Sequence, residues 1–364
     1  MARTRIREKD RTTAGKSYGN DVTIFLTDTK AKASIITAIT KKADASTYTN
    51  KTIIENILDL GGKVLVAAKY DNTVVSYLKD RNQYDVTFLL CETTSDKTTS
   101  DETTSDETTS DTDLKLALDI AVARRDCAVV CTCAESEWSN ADKTLLNTAI
   151  GNETSTEFLD GESGTYGKYC LGFYGKDSTI KGGVAYIYSF LKALNDGNPA
   201  WLATAGAKRG AIPVAVTVGD LTEAELDTMQ TSGNPVNPIA NISPWGVRIW
   251  GDRTAMEISS TGPVASNFAT VRIAMCWLKK RLYLAAKTYQ FEQDNDVLWV
   301  NFTSKVNSLL EEMVQSSGIG GYRWLREAAD GRGKLKATLT IVPTYPVDDF
   351  DLTIDLTDSL SVSE

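Results

Sequence analysis

Residues 264–289 read VASNFATVRIAMCWLKKRLYLAAKTY, and this stretch determines the architecture of the C-terminal third of the chain. Apolar side chains recur along it at spacings of four and three residues, which predicts one long amphipathic helix. Its apolar face consists of Val264, Phe268, Val271, Met275, Leu278, Leu282, Ala285 and Tyr289. The opposite face carries Arg272, Lys279, Lys280 and Lys287, which would be solvated or would contact an acidic partner.

A second helix is predicted over residues 297–316, because apolar side chains again share one face. The apolar positions are Leu298, Phe302, Val306, Leu309 and Met313. Gly318 follows the last of them, as is common after a helix C-terminus. The turn between the two helices, Gln293–Asn295, is short and polar, so the helices are predicted to pack antiparallel.

The last thirty residues alternate between apolar and polar side chains, the pattern of half-buried strands. A first alternation places Leu335, Ala337, Leu339 and Ile341 on one side. After a turn at 343–346, a second alternation places Phe350, Leu352, Ile354 and Leu356 opposite Asp351, Thr353, Asp355 and Thr357. A strand with one apolar face needs a sheet to join, and left free it would be an aggregation hazard.

The acidic residues Asp348, Asp349, Asp351 and Asp355 lie close enough together to raise the question of calcium binding. They lack the glycine turn and the bidentate glutamate of a calcium loop. The pattern therefore favours a strand face that contacts solvent or a partner.

The N-terminal part alternates strand and helix patterns from residue 21 to residue 220, which predicts a layered α/β domain. Strands are predicted at Asp21–Thr29, Lys63–Ala68, Tyr84–Cys91, Cys127–Cys133 and Tyr169–Tyr174, and helices at Thr52–Leu60, Leu114–Arg125, Trp138–Ile150 and Val184–Leu194. We expect a mixed α/β (α+β) protein with four segments. These are an extended N-terminal arm (1–20), the α/β domain (21–198), a C-terminal domain with a helix pair and a sheet (199–345) and a C-terminal arm strand (346–364).

A five-residue repeat interrupts the α/β domain: TTSDK, TTSDE, TTSDE and TTSDT cover Thr93–Thr112. The repeat contains no apolar residue, so burial cannot offset the entropy of ordering it. A disordered surface loop over 92–113 is predicted, either as a tolerated insertion or as an adhesive element.

Composition excludes several kinds of chemistry. The chain has 364 residues, no histidine and a net charge of −9. Imidazole catalysis and histidine metal sites are therefore absent, and nucleic-acid binding is disfavoured. No apolar run is long enough to span a membrane, and the N-terminus lacks the apolar stretch of a signal peptide. We predict no catalytic, cofactor or metal site.

Three short motifs could suggest otherwise, and each is incomplete. Gly15-Lys16-Ser17 and Gly167-Lys168 lack the glycine spacing of a phosphate-binding loop. Cys127, Cys131 and Cys133 would face one side of a strand and could begin a metal site, but no fourth ligand is apparent. Cysteine also packs well in a buried strand, so core packing is the preferred interpretation.

Several segments after residue 198 resemble the contractile tail sheath family of phages, pyocin-type particles and related injection machines. Gly246-Val-Arg-Ile-Trp-Gly-Asp-Arg-Thr254 is similar to the family's Gly-x-x-x-Trp-Gly-x-Arg-Thr segment. The other similar segments, in the same order as in the family, are Pro199–Gly206 with Lys208–Ile212, Leu221–Leu226, Asn237–Asn241, Val271-Arg272, Phe291–Trp299 and a Gly318–Tyr322 loop. The resemblance covers about 199–357, nearly half of the chain.

What the resemblance implies is a structural subunit that forms stacked hexameric rings around a tail tube. The N- and C-terminal arms would exchange strands with neighbouring subunits, using Phe350, Leu352, Ile354 and Leu356. Contraction would release energy stored at assembly and would need no nucleotide. Expected partners are further copies of the chain, the tube, the baseplate and the tail terminator, in a virion tail assembled in the host cytoplasm. Neither nucleic acid nor membrane insertion is expected.

Tube contacts are expected from the second C-terminal helix or its neighbour. The candidates are Lys305, Glu311 and Glu312, with Lys279, Lys280 and Lys287 behind them. Two alternatives remain open from the residues alone: the sheath of a non-viral injection particle, and an α/β enzyme that uses carboxylate or cysteine chemistry.

Overall fold

The computed structural model describes residues 22–92, 109–133, 166–231, 233–328 and 334–347. Several expectations lie outside these residues. They are the N-terminal arm with its Gly15-Lys16-Ser17 motif, repeat residues 93–108, the helix predicted at Trp138–Ile150 and the C-terminal strand with Phe350, Leu352, Ile354, Leu356 and the neighbouring aspartates.

An eight-stranded sheet forms the body of the described chain, in the order β2-β3-β1-β4-β5-β6-β7-β8. Its strands are β1 (Thr23–Thr27), β2 (Thr37–Ile39), β3 (Lys63–Ala67), β4 (Phe88–Glu92), β5 (Ala128–Thr132), β6 (Cys170–Tyr174), β7 (Asn237–Ile242) and β8 (Gly246–Ile249). The inner strands from β3 to β7 are parallel, and the edge strands β2 and β8 are antiparallel to their neighbours. Parallel strands buried on both faces read as apolar runs, as AVVCT in β5 does.

Helices cover both faces of this sheet, which confirms the layered α/β prediction. The helices of the chain are α1 (Lys42–Ala45), α2 (Lys51–Asp59), α3 (Asn72–Lys79), α4 (Thr109–Arg124), α5 (Gly182–Asn195), α6 (Gly206–Arg209), α7 (Glu223–Thr231), α8 (Ala269–Thr288) and α9 (Asp296–Gln315). Residues of α3 and α4 pack with Phe25, Leu89 and Val129 on one face. Residues of α2 and α5 pack with Ile24, Phe88 and Val130 on the other face.

The sheet continues across the predicted boundary at residues 198 and 199. Strand β6 pairs in parallel with β7, with Phe173 opposite Asn237. Strands β7 and β8 therefore belong to the same sheet as the first six strands, although they lie in the segment expected to form a second domain.

Helix α8 is shorter than predicted, because it begins at Ala269 rather than at Val264. Residues Ala265–Asn267 form a 3-10 turn, and Phe268 has an extended backbone conformation. The Asn267 side chain accepts a hydrogen bond from the Val264 amide and donates one to the Met256 carbonyl. These bonds hold the chain in a turn that the apolar periodicity alone could not reveal.

Three further boundaries differ from the predictions. Glu92 ends β4, and α4 begins at Thr109, so the predicted loop is shorter at both ends. A helix anchored by buried Leu114 extends backward by a turn at low cost, because each added residue gains one hydrogen bond. Strand β4 begins at Phe88 rather than at Tyr84, whose carbonyl accepts a hydrogen bond from buried Arg124. Helix α5 is buried on nearly all sides rather than on one face.

A second structural unit packs beside the sheet and consists of α8, α9 and an antiparallel hairpin, β9 (Ile319–Glu327) and β10 (Lys336–Pro343). Tyr289 contacts Phe302 beside the helix turn, with ring centroids 6.1 Å apart. At the other end, buried Trp201 contacts Trp277 of α8 and donates a 2.9 Å hydrogen bond to Ser316 after α9. The helices are thus antiparallel, as predicted.

Gly318 provides the space that Trp201 occupies. A Cβ atom at residue 318 would lie 2.4 Å from Cδ1 of Trp201, too close for any real contact. The ring is 1% exposed and cannot move into solvent. A glycine is therefore required where the chain turns from α9 into β9.

We predict that Gly318→Ala lowers the free energy of unfolding by about 1–3 kcal/mol, the usual cost of overpacking a core. Gly320→Ala is the matched control, because its nearest contact would be Val342 at an ordinary 3.6 Å. Urea unfolding followed by tryptophan fluorescence measures both. Equal stabilities of the two variants would contradict this role of Gly318.

Candidate functional site

The β9–β10 hairpin forms a separate two-stranded sheet in the described chain. Its strands pair with each other from Ile319↔Pro343 to Glu327↔Lys336. No other strand of the described residues joins this two-stranded sheet. The outward edges of β9 and β10 therefore present backbone N–H and C=O groups that another strand can pair with.

The inner face of the hairpin is anchored on α9. The Trp324 indole donates a 2.9 Å hydrogen bond to Asn307, and its ring contacts Phe302 with centroids 5.9 Å apart. The Tyr322 hydroxyl donates a 2.7 Å hydrogen bond to Glu311. Leu339 and Ile341 pack against the same core, as the alternation of residues 335–341 predicted. The hairpin is thus a rigid platform with an exposed outer face, where Leu325 and Val342 are more than half exposed.

Strand β9 is the element of this site that sequence reasoning missed. The resemblance placed a loop at Gly318–Tyr322, whereas the strand begins at Ile319. The alternation of Tyr322 and Trp324 with Arg323 and Leu325 is the signal that could have identified it.

The segment 246–254, which carries the sharpest motif resemblance, connects the sheet to α8. The buried Asn237 side chain of β7 accepts a 2.7 Å hydrogen bond from the Arg253 amide and donates to the carbonyls of Arg253 and Gly172. The Asp252 carboxylate accepts a 2.7 Å hydrogen bond from the Thr270 hydroxyl, and its backbone carbonyl accepts one from the Ala269 amide. The first turn of α8 is therefore fixed to the sheet.

The described chain ends beside the same helix terminus. The Tyr345 ring contacts the Phe268 ring with centroids 5.2 Å apart, and the Arg253 guanidinium lies 4.6 Å from the centroid of Phe268. The Thr344 hydroxyl donates a hydrogen bond to the Ser317 carbonyl. These contacts fix the last described residues beside the start of α8.

The start of the described chain also lies beside α8. Val22 lines a cavity of about 80 Å³ together with Trp277, Lys280 and Leu284 of that helix. Residues 1–21 and residues 348–364 thus both continue from points next to α8.

The basic side chains of α8 contact other parts of the same chain. Lys280 forms a 2.6 Å ion pair with Asp85, and Lys287 donates a hydrogen bond to Asn82. The Arg272 guanidinium lies 4.7 Å from the Tyr169 ring centroid, and the pKa of Lys279 is lowered, mainly by burial. On α9, Glu311 accepts the Tyr322 hydrogen bond, and Lys305 lies 5.9 Å from the Tyr289 ring centroid. Of these candidates, Lys305 and Glu311 are exposed and Glu312 is half-buried.

The cysteines have the packing role that the sequence favoured. All six are buried, and Cys127, Cys131 and Cys133 belong to one core cluster between the sheet and α4. Burial raises the pKa of Cys127 to about 12, so this thiol stays protonated. Among the residues described, no group of three or more potential ligands is arranged to hold a metal ion. Gly167 packs tightly against the Met256 backbone in a 3-10 turn and leaves no phosphate-binding loop there. Within the described ranges, no helix is long and apolar enough to cross a membrane.

Several solved structures share this architecture. The chain superposes on a subunit of the anti-feeding prophage baseplate with a TM-score of 0.66 and 13% identity, covering 98% of this chain and 99% of that chain. It superposes equally well on the sheath of an extracellular contractile injection system, PVC, in its contracted state, with a TM-score of 0.66 and 14% identity over 98% of both chains. The fold is that of contractile sheath proteins.

Two further comparisons agree with the resemblance that the motifs predicted. A sheath tail protein of Desulfitobacterium hafniense gives a TM-score of 0.51 at 9% identity, covering 93% of this chain and all of that one. The tail sheath protein of Vibrio phage KVP40 is 27% identical over 136 residues, which are 37% of this chain and 19% of the phage protein. No family model matches the chain.

We predict that Asn237→Ala lowers the free energy of unfolding by about 3 kcal/mol, because buried backbone groups of Arg253 and Gly172 lose their partner. Asn241→Ala, an exposed position of the same strand, is the matched control and should change stability by less than about 0.5 kcal/mol. Chemical denaturation of both variants measures the difference. A small effect at Asn237 would contradict the connection drawn between the sheet and α8.

Proposed function

We propose that the chain is the structural subunit of a contractile tail sheath, which polymerises as stacked hexameric rings around a tail tube. The observation that carries the proposal is the two-stranded β9–β10 sheet, whose edges are open among the described residues, in a chain that aligns with a contractile-particle subunit at a TM-score of 0.66. A hairpin of this kind gains main-chain hydrogen bonds when a strand from another copy joins it.

The C-terminal segment is the proposed donor. Phe350, Leu352, Ile354 and Leu356 would provide its apolar face, and the exposed edges of β9 or β10 would accept its backbone. The N-terminal residues 1–20 would connect a further copy. Links of this kind let subunits move relative to one another while they stay joined, as contraction requires.

Contraction in this proposal is a switch between two lattices of the same subunits. The extended lattice is metastable and is held by a kinetic barrier, so its release needs no nucleotide and no cofactor. The subunit accordingly acts through its surfaces and has no catalytic role. Small free-energy gains per subunit, summed over many rings, would drive the tube through an envelope.

The proposed partners are the tube inside the sheath, the baseplate at one end and the terminator at the other. The proposed location is the tail of a phage particle assembled in the host cytoplasm, or the equivalent part of a non-viral injection particle. Tube contact is assigned to the exposed face of α9 through Lys305, Glu311 and Glu312. Weak charged contacts suit a surface that must release the tube during contraction.

Deleting residues 346–364 should abolish polymers, because the donated strand is lost, while the folded body remains. Negative-stain microscopy and sedimentation measure assembly, and circular dichroism measures folding. Deletion of repeat residues 93–108 is the control and should leave polymers intact. Normal rings or tubes from the truncated chain would contradict strand donation.

The variant Lys305→Ala should weaken co-assembly with the tube first at high salt, where the remaining charge contacts are screened. Cosedimentation of sheath with tube across a salt series measures this. Polymerisation of the sheath alone should not change. Identical tube binding by the variant and the unmodified chain at every salt concentration would reject the assignment of this face.

A further inference from the structure

A wide groove lies between the C-terminal half of α8, the loop after α3 and strand β10, with a volume of about 1050 Å³. Its floor is partly apolar, with Leu282 and Ala286 of α8 opposite Ala337 and Leu339 of β10. The groove therefore runs beside the open hairpin described above, where an added strand would place its inward side chains.

Basic side chains outnumber acidic ones in the lining of the groove. Arg81, Arg125, Lys279, Lys287 and Lys334 line it, against the acidic side chains of Glu292 and Asp294. Asp294 already forms a 3.3 Å ion pair with Arg326. Burial lowers the pKa of Lys279, and repulsion from Arg272, Arg125 and Lys168 lowers it further. Anionic groups entering this groove would relieve that repulsion.

One segment of the chain matches both the apolar floor of the groove and its basic side chains. Residues 348–364 contain six acidic residues and no basic one, in a chain whose overall net charge is −9. Their apolar positions, from Phe350 to Leu356, alternate with acidic and hydroxyl side chains. A strand with this pattern offers an apolar face to the floor and carboxylates to the cationic rim.

The reach of the segment favours a second copy as its source. Tyr345 is held on Phe268, at the N-terminal end of α8, whereas the groove lies along its C-terminal half. From Phe268 to Tyr283 the helix rises by about 22 Å. Phe350 lies five residues after Tyr345, and an extended chain of that length spans at most about 17 Å. The first apolar residue of the segment, Phe350, therefore falls short of the middle of its own groove.

We propose that this groove receives the acidic segment Asp348–Glu364 of a second copy, and that carboxylate contacts with its cations set the register of the donated strand. The inference rests on the proposed strand donation and adds the element that selects the partner. Backbone pairing alone is indifferent to sequence, so a slipped strand would pair as well. Pairing of the segment's carboxylates with the basic side chains of the groove would favour the correct register over a slipped one, and this segment over other strands.

The test is charge reversal in the full chain. Lys287→Glu/Lys334→Glu should reduce the polymer fraction at least tenfold in low-salt sedimentation, and adding Asp351→Lys/Asp355→Lys to the same chain should restore it. Lys32→Glu/Lys208→Glu is the matched control, because it makes the same charge change at exposed positions outside the groove. If the unmodified chain polymerises and the groove variant does so equally well, only the groove assignment fails. An unmodified chain that forms no polymer would contradict the proposed function itself.

Cross-linking identifies the source of the segment. A chain with Lys287→Cys and Asp355→Cys, treated with a short bis-maleimide, should give a ladder of covalent multimers on a denaturing gel. Lys32→Cys with Asp355→Cys should give none. Cross-links confined to single chains would show that the segment folds onto its own groove and would overturn the proposal, as would the absence of any cross-link.

Discussion

The backbone N–H and C=O groups along the outer edges of the β9–β10 hairpin are the constraint on which the proposed assembly depends. A two-stranded sheet is marginal in water, and this one is stable as a platform because Trp324 and Tyr322 fasten it to α9. Its outer edges remain open within the described chain. Each backbone hydrogen bond made there contributes about 0.5–1.5 kcal/mol, so a strand of several residues gives a useful but reversible link.

The start of α8 is fixed on the large sheet. This rigidity would let a strand shared between two copies transmit force. Asn237 and Asp252 hold the start of α8 on the large sheet, and Phe268 in turn contacts Tyr345, close to the last described residue. The last described residues thus lie beside the start of α8, the hairpin lies on α9, and the two helices pack against each other. In the proposed assembly, force applied through a donated strand would pass through α9 and α8 into the sheet, rather than into a flexible linker.

Periodicity predicted the long elements well, because burial of one face imposes the spacing of apolar residues. The helix pair, β5, β6 and the face of β10 followed from it. The start of α8 did not, because the Asn267 side chain replaces helical hydrogen bonds by contacts with Met256. Strand β9 was hidden by its glycines. The groove could not be predicted, because distant residues such as Arg81 and Lys334 line one surface only in the folded chain. The motif around Trp250 pointed to the fold but not to the role of Asp252, which depends on its contact with Thr270.

Amide hydrogen exchange along Ile319–Glu327 and Lys336–Pro343 measures whether the hairpin edges are unpaired in a free subunit and paired in a polymer. In dilute subunits, amides that point outward from the hairpin edges should exchange rapidly, while those paired between β9 and β10 are protected. In assembled polymers the outward amides of the accepting edge should become protected as well. Outward amides already protected in a dilute monomer, together with protected amides in residues 350–356, would mean that the chain completes its own sheet.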